Sequence, residues 1–500
     1  MEYLAKGLEQ PERLAVTDSA GAWSYQELLR RTQSVSSSLV RLDLHPGDRA
    51  GLFLPRRKES VALFLGVLGA GGVAVPFSVR GAPREIAHQI VNAGISLVIA
   101  EPAVKKILAD AFASANLADP QRCVDAGALL ETTTPIPVSC LPEMAAGAPA
   151  LILYTSGTTG RPKGVVHTHD SLWSQMDILG QAWEWSGVDQ LLHVLPLHHI
   201  HGLVNGMLGP LRAGAGLRFL DAFAPAEVWN LLAGGHASVF YAVPTIYHQL
   251  ADAWESHDTA VRRFWSEGAG RLRLAVSGSA ALPSRLWKRW EEMTGQALLE
   301  RYGMTEIGMA ISNPYRGERR PGTVGQPLPG MRVRIADESG ADVPEGVPGE
   351  IMVQGRSLFR EYWNDPAATR ASFRDGFFLT GDVAEVRDGY IRIQGRASVD
   401  ILKSAGYKIS ALEIEEALRE HPGVQEVAVV GVPDAEWGEI VTACVVPAPG
   451  QALTLDQVRA WCKDRLAPYK APRRLELRRE LPRNALGKVV KPELIGQLIA

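Results

Sequence analysis

The chain has few cysteines, no excess of charge of one sign and no unbroken apolar run. Four cysteines occur among 500 residues, Cys123, Cys140, Cys444 and Cys462, with no CxxC spacing. Such scatter argues against a zinc finger or disulfide framework and fits a reducing compartment. A formal net charge of −3 provides no basic field for nucleic acid. The first residues, Met1-Glu2-Tyr3-Leu4-Ala5-Lys6, show no basic segment followed by an apolar core. They are expected to be neither a secretory signal nor a transit peptide. Residues 60–79 are uncharged and near the length of a bilayer span. Gly66, Gly69, Gly71, Gly72 and Pro76 interrupt them, which predicts a buried helix, a glycine turn and a strand. A soluble, cytoplasmic protein is expected, without a membrane span.

The remaining composition is that of a globular protein, with 46% hydrophobic and 21% charged residues. The length suggests roughly three folding units. Through the first two thirds, short apolar runs alternate with amphipathic helical patterns. The runs at 49–54, 96–100, 151–154 and 273–276 read as buried strands of α/β layers. From Met331 the texture changes to alternating strands, at 331–335 and 350–354, each with one wet face. A Gly/Asp-rich patch spans 380–395. Beyond it come a helix at 410–421, with Ser410 and Glu413 in capping-box spacing, strands at 424–432 and 440–447, and a helix at 454–466. The expected fold is α/β: a large N-terminal domain over 1–395 of layered sheets and helices, and a small mobile α+β domain over 396–500.

The densest chemical signal is Tyr154-Thr155-Ser156-Gly157-Thr158-Thr159-Gly160-Arg161-Pro162-Lys163-Gly164. Glycines let the backbone approach an anion, while hydroxyls and N–H groups donate to phosphate oxygens and Lys163 adds a charge. A generic Gly/Ser/Thr loop would be a surface turn, but this order of residues is more particular. A Walker A loop does not fit, because Arg161-Pro162 follow Gly160 where Lys is required.

The sequence resembles the adenylate-forming (ANL) superfamily of acyl-CoA synthetases, luciferases and peptide-synthetase adenylation domains. Residues 154–164 resemble its phosphate loop, and Tyr302-Gly303-Met304-Thr305-Glu306 its YGxTE motif. Thr380-Gly381-Asp382 resembles TGD, and Gly395-Arg396 through Lys403-Ser404-Ala405-Gly406-Tyr407-Lys408 its hinge and Gly-Tyr segment. Pro482-Arg483-Asn484-Ala485-Leu486-Gly487-Lys488 resembles PRxxxGK. The resemblance covers nearly the whole chain, in the family's order.

It implies two half-reactions, formation of an acyl-adenylate from ATP and a carboxylic acid, then displacement of AMP by the thiol of CoA. Lys488, Glu306, Thr305 and His201 are the implied catalytic residues. ATP would be held by Thr155, Ser156, Gly157, Thr158, Thr159, Gly160, Lys163, Ser277, Gly278, Ser279, Glu300, Arg301, Tyr302, Gly303, Met304, Asp382 and Arg396. Glu306 and Thr158 would hold Mg²⁺, and Ser404, Gly406 and Tyr407 would meet CoA. The family's small domain alternates between two poses. Here Ala397-Ser398-Val399-Asp400 stand where many members have Asp or Lys, which leaves the pivot open.

Further segments resemble the malonyl-CoA and methylmalonyl-CoA synthetases, the group of acyl-CoA synthetase family member 3. They are Leu195-Pro196-Leu197-His198-His199-Ile200-His201-Gly202, the runs 276–283 and 299–310, and the shorter Phe359-Arg360-Glu361-Tyr362-Trp363 and Ser398-Val399-Asp400-Ile401. A dicarboxylate carries a second charge that needs a buried cation or several donors. His199, His201, Met304 and Arg320 are the expected acid-pocket residues, with His198 and Arg319 further candidates. The histidines can equally be packing residues. One departure is His248-Gln249, where arginine is common in the bacterial members; it leaves room for another short, medium-chain or aromatic acid. A module that loads a carrier protein is disfavoured by the histidine-rich segment. An inactive scaffold is disfavoured by the presence of Lys488, Glu306 and Asp382. The expected partners are ATP, CoA and a small acid, with the protein a monomer or homodimer.

Overall fold

The computed structural model describes residues 2–79, 81–115, 123–131, 141–155, 162–404, 407–434, 437–483 and 489–499. Ser156, Gly157, Thr158, Thr159, Gly160, Gly406 and Lys488 therefore lie outside the described residues.

The large domain is built on two mostly parallel sheets and a third, antiparallel one. The first runs, in spatial order, Gln326–Pro327, Gly308–Ser312, Leu299–Met304, Leu274–Ser277, Val239–Ala242, Gln190–His193, Gly216–Phe219, Leu14–Asp18 and Gly21–Ser24. Its central strands are buried along their length, as at Leu274–Ser277 and Val239–Ala242. Their continuous apolar runs follow from helices covering both faces. On one flank Trp229 lies between Trp265 and Trp290, with ring centroids 5.7 and 5.4 Å away. The second sheet orders Glu361–Tyr362, Lys163–Thr168, Pro149–Thr155, Val73–Phe77, Arg49–Phe53, Leu97–Ala100 and Cys123–Asp125. The run at 60–79 resolves into the helix Lys58–Gly69 and the strand Val73–Phe77, as its glycines predict. No helix among the described residues is long and apolar enough to cross a membrane.

The third sheet comprises Arg332–Ala336, Gly349–Gln354, Phe377–Arg387 and Phe373–Arg374, with Tyr390–Arg396 paired to Phe377–Arg387. The Gly/Asp-rich patch is thus a long hairpin. Thr380-Gly381-Asp382 lies within a strand, with Gly381 at φ +71° and a bulge at Val383/Ala384. A bulge beside a left-handed glycine re-aims neighbouring side chains. The small domain wraps Tyr407–Ser410, Ile401–Ser404, Gly438–Pro447, Val424–Asp434 and Arg474–Leu477 into one sheet. Its helix Ala411–Arg419 is capped by Ser410, whose hydroxyl accepts from Glu413 N–H at 3.2 Å. Thr454 caps Leu455–Lys463 in the same way.

The first sheet changes character at Leu299–Met304. That strand is parallel to Leu274–Ser277 on one side and antiparallel to Gly308–Ser312 on the other. Ligands of open α/β sheets collect beyond the strand ends at such a change. The antiparallel pair is drawn in at Gly303, where an added Cβ would sit 2.1 Å from the Gly308 carbonyl oxygen. Gly303→Ala should therefore lower the melting temperature, by overpacking of about 1–3 kcal/mol, and weaken adenylation. An unchanged melting temperature would show slack at this strand pair.

Candidate active site

Alternation along Leu299–Met304 sends neighbouring side chains to opposite faces of the sheet. Arg301 turns to one side and Tyr302 to the other, giving two subsites that share one strand.

On the Tyr302 side, its phenol donates to Asp382 Oδ2 at 2.6 Å. Arg396 Nε donates to Asp382 Oδ1 at 2.9 Å, and its Nη2 to the Thr380 carbonyl at 2.8 Å. Asp382 and Arg396 are cross-strand partners in the hairpin register. Each carboxylate oxygen retains acceptor capacity beyond these bonds, as needed for a pair of vicinal hydroxyls. Burial of Tyr302 beside this carboxylate raises its pKa well above the usual phenol value.

Two residues past the strand, Glu306 is buried, and Tyr362 donates to its Oε1 at 3.0 Å. Burial raises the Glu306 carboxyl above the ordinary range. The preceding turn is fixed by His167, whose Nε2 lies 2.7 Å from the Thr305 carbonyl. Burial holds His167 neutral, its pKa pushed down to about 4, so Nε2–H is the donor. Lys163 reaches the same place from the second sheet. Its Nζ lies 5.0 Å from the Tyr362 ring centroid, and its backbone pairs with Thr155 across the glycine- and hydroxyl-rich loop. Tyr362 thus links the Lys163 cation to Glu306, a contact that the sequence does not predict. No cluster of three or more His, Cys, Asp or Glu among the described residues could hold a metal by itself. A lone buried carboxylate suits Mg²⁺, which takes one or two protein carboxylates and completes its shell with water and phosphate oxygens.

On the other side, Arg301 is 4% exposed, and its Nε and Nη2 have no partner among the described residues. The guanidinium lies against Gly278, where an added Cβ would be 2.5 Å from Cζ. Around it gather Ser277, whose buried hydroxyl is unpartnered, and Ser279, in the left-handed region at φ +68°. Strain at a non-glycine residue of this kind collects at functional sites. His201 Nδ1 meets Ser279 Oγ at 3.2 Å, its ring lies on Tyr241 with centroids 6.0 Å apart, and its Nε2 is unpartnered. Burial and the adjacent Arg301 charge depress the His201 pKa, keeping the imidazole neutral. His201 opens the π-helix His201–Leu208, a geometry frequent at functional sites. That helix also carries Asn205, whose buried Oδ1 has no partner among the described residues. Glu300 accepts from Leu282 N–H at 3.1 Å, and burial pushes its carboxyl up to about 8. Glu300 is thus largely protonated at neutral pH and leaves the Arg301 charge unbalanced. Burial pushes Arg301 down to about 10, still cationic.

Other expected residues fall elsewhere. Arg320 does not join the pocket: it pairs with Glu318 at 2.9 Å and packs on Tyr390, 4.1 Å from the ring centroid. Arg319 is spent on the carbonyls of Pro314, Ala297 and Tyr315. His198 and His199 meet as tilted rings with centroids 4.1 Å apart, half-buried beside the π-helix. Met304 is half-buried at the strand end. His248 and Gln249 are exposed, with His248 Nδ1 3.3 Å from Asp252, so a cation at position 248 would face solvent. In the small domain Ser404 is buried, whereas Tyr407 is exposed and stacks on Tyr469 at 4.3 Å.

One strand thus places the Tyr302–Asp382–Arg396 cluster and the buried Glu306 apart from a separate pocket around Arg301, in an enzyme of the acid-activating, AMP-forming class. The chain belongs to the AMP-binding enzyme family, which matches residues 5–363, with the family's C-terminal domain matching 413–488. It is 40% identical to the mitochondrial malonate–CoA ligase ACSF3 of Xenopus laevis over 97% of this chain and 89% of that one. The ATP-bound crystal structure of MatB from Rhodopseudomonas palustris is similar at a TM-score of 0.90, with 35% identity, covering 99% of this chain and 98% of that one. A malonyl-CoA ligase ternary product complex with methylmalonyl-CoA and AMP is similar at 0.68, with 38% identity, covering 95% and 97%.

The Glu300 carboxyl generates a pH prediction. Its folded pKa lies near 8 against an ordinary 4.5. Its contribution to stability is fully present below about 4.5 and is lost as pH rises through about 8. Glu300→Gln should therefore melt progressively higher than wild type as pH rises across that window, with the gap levelling off above it. A pH-independent gap would mean that Glu300 is ionised in the fold.

Proposed function

We propose that the protein is an ATP-dependent acid–CoA ligase whose acid is malonate or methylmalonate, giving malonyl-CoA (or methylmalonyl-CoA), AMP and pyrophosphate. The observation that carries the choice of acid is the buried, unbalanced Arg301 with two unpartnered N–H directions. An orphaned buried cation is costly unless a ligand completes it. A monocarboxylate spends its only charge at the phosphorus, whereas a dicarboxylate has a second to give Arg301. The similarity to malonate–CoA ligases supports the same choice.

In the first half-reaction, a carboxylate oxygen of the acid bonds to the α-phosphorus of ATP, and the bond from that phosphorus to the bridging oxygen breaks. Pyrophosphate leaves with that electron pair. Both reactants are anionic, so cationic groups must screen their approach. Lys488 would do so at the reacting oxygens and Lys163 at the phosphate tail. Residues Thr155 to Gly160 would cradle that tail with hydroxyls and N–H groups. Asp382 would accept from the ribose hydroxyls, with Tyr302 and Arg396 holding its orientation. Glu306, with Thr158, would hold Mg²⁺, which when bound neutralises charge on the phosphates. Ser277, Ser279 and neutral His201 would donate or accept around the acid, beside Arg301. In the second half-reaction, the thiolate of CoA attacks the acyl carbon and AMP leaves with the phosphate oxygen. Gly406 and Tyr407 would line its approach. The thiol state of Cys123, Cys444 and Cys462 fits a reducing compartment such as the cytoplasm, with the protein a monomer or homodimer.

Two outcomes follow from this reading. Malonate should exceed propionate in kcat/KM by about ten- to a hundredfold, the equivalent of one charge-assisted hydrogen bond of about 1.5–3 kcal/mol. Arg301→Met should shrink or invert that ratio while the KM for ATP holds. Equal turnover of the two acids by wild type would replace malonate by a different short acid. Separately, Lys488→Ala should abolish pyrophosphate release while sparing thioester formation from supplied acyl-adenylate. Equal loss of both steps would contradict the assignment of Lys488 to the first.

A further inference from the structure

The chain leaves the large domain at the end of Tyr390–Arg396 and enters the small one at Ile401–Ser404. Ala397 still belongs to the first, since its N–H donates to the Gly381 carbonyl at 2.9 Å. Asp400 belongs to the second. Its carbonyl accepts from Ala411 N–H at 2.7 Å, and its Oδ1 is bound by the ammonium of Lys491. Lys491 is 9% exposed and also reaches Glu415 Oε1 at 2.7 Å. Glu415 is tied further to Val429 N–H at 2.9 Å and to Arg419 Nη2 at 2.8 Å. A buried charge network of this kind makes Asp400 rigid with the base of the small domain. The residues free to absorb a change in φ and ψ are therefore Ser398 and Val399, just past the boundary that the sequence suggests.

Several hydrogen bonds cross this pivot. Asp400 Oδ2 accepts from Arg396 N–H at 3.0 Å, and Asp400 N–H donates to the Arg396 carbonyl at 2.7 Å. Farther out, Glu416 Oε1 accepts from Ser284 N–H at 2.7 Å. Ser284 opens the large-domain helix Ser284–Thr294, whose first-turn N–H groups have no partner within the helix and which favours a negative charge at this end. Ser410 Oγ also donates to the Gln394 carbonyl. Turning the small domain about Ser398–Val399 must break the Asp400 and Glu416 bonds to the large domain. The arrangement is close to that of ATP-bound MatB and differs more from the ternary product complex, at TM-scores of 0.90 and 0.68.

We propose that Asp400, clamped by Lys491, and Glu416 are positioning residues that catch backbone N–H groups of the large domain and hold the small domain in the pose for acyl-adenylate formation. This rests on the two-step ligase reading above. Neither residue touches a substrate, and each acts by biasing a two-state hinge.

The test compares the two half-reactions in Asp400→Ala, Glu416→Ala and Glu416→Gln. Acid-dependent exchange of pyrophosphate into ATP reads the first, and CoA-dependent thioester formation from supplied acyl-adenylate reads the second. Asp400→Ala and Glu416→Ala should each slow the first about tenfold, as expected for loss of one charge-assisted hydrogen bond. The second should hold or quicken. Glu416→Gln, which still accepts from Ser284 N–H, should restore the wild-type ratio, separating the catch from any folding defect. A fall of both half-reactions by one factor, an unchanged ratio, or a Glu416→Gln that behaves like Glu416→Ala would overturn the proposal. Wild-type exchange supported by another acid but not by malonate would count against the malonate reading alone, since the ratio can be measured with whichever acid supports exchange.

Discussion

The site depends on the alternation of side chains along Leu299–Met304. A strand can hold a cation on one face and a phenol on the other without either screening its neighbour. Arg301 is thereby committed to an acid pocket against Gly278 and near His201. Tyr302 is committed to Asp382 and, through it, to Arg396. A one-residue slip in register would exchange the two. Register is fixed on both sides, by parallel pairing to Leu274–Ser277 and by the close antiparallel approach at Gly303. The buried carboxylate of Glu306 then lies just beyond the strand end.

The two subsites carry different electrostatic loads. Around Asp382, charge is already balanced by Arg396, so that region is ordered by its own contacts. Around Arg301, little is balanced. Glu300 is neutralised by burial, His201 is held neutral, and Ser277 and Asn205 keep unpartnered oxygens. A fold tolerates such orphaned groups where a ligand completes them. A pocket of this kind selects strongly against an acid that leaves it incomplete, because the penalty falls on the protein's own buried groups.

Much of this was legible in the sequence, and the remainder failed for identifiable reasons. Local patterns predict the layered fold, the capped helix at Ser410 and the helix-turn-strand resolution of 60–79. Motifs single out Glu306, Asp382 and Arg396, whose roles are local to a turn or a hairpin. The pocket around Arg301 is assembled from strands and a π-helix far apart in sequence, so no single motif shows that Arg301, Ser277, Ser279 and His201 come together. Arg320 seemed eligible because it precedes a Pro-Gly turn, yet its guanidinium is satisfied by Glu318 and Tyr390. Tyr362 lies in the segment 359–363, which resembles the malonyl-CoA synthetases, but its link to Glu306 and Lys163 follows only from the contacts in the structure. The Gly/Asp-rich patch over 380–395 carries no secondary-structure signal of its own in the sequence. Its glycines instead serve a bulged hairpin, where Gly381 takes a left-handed turn inside a strand.

The division of labour between adjacent residues is most directly tested by measuring KM for ATP and for malonate in Arg301→Met and Tyr302→Phe side by side. If one strand separates two subsites, Arg301→Met raises only the malonate constant and Tyr302→Phe only the ATP constant. Variants that each raise both constants by the same factor would contradict it.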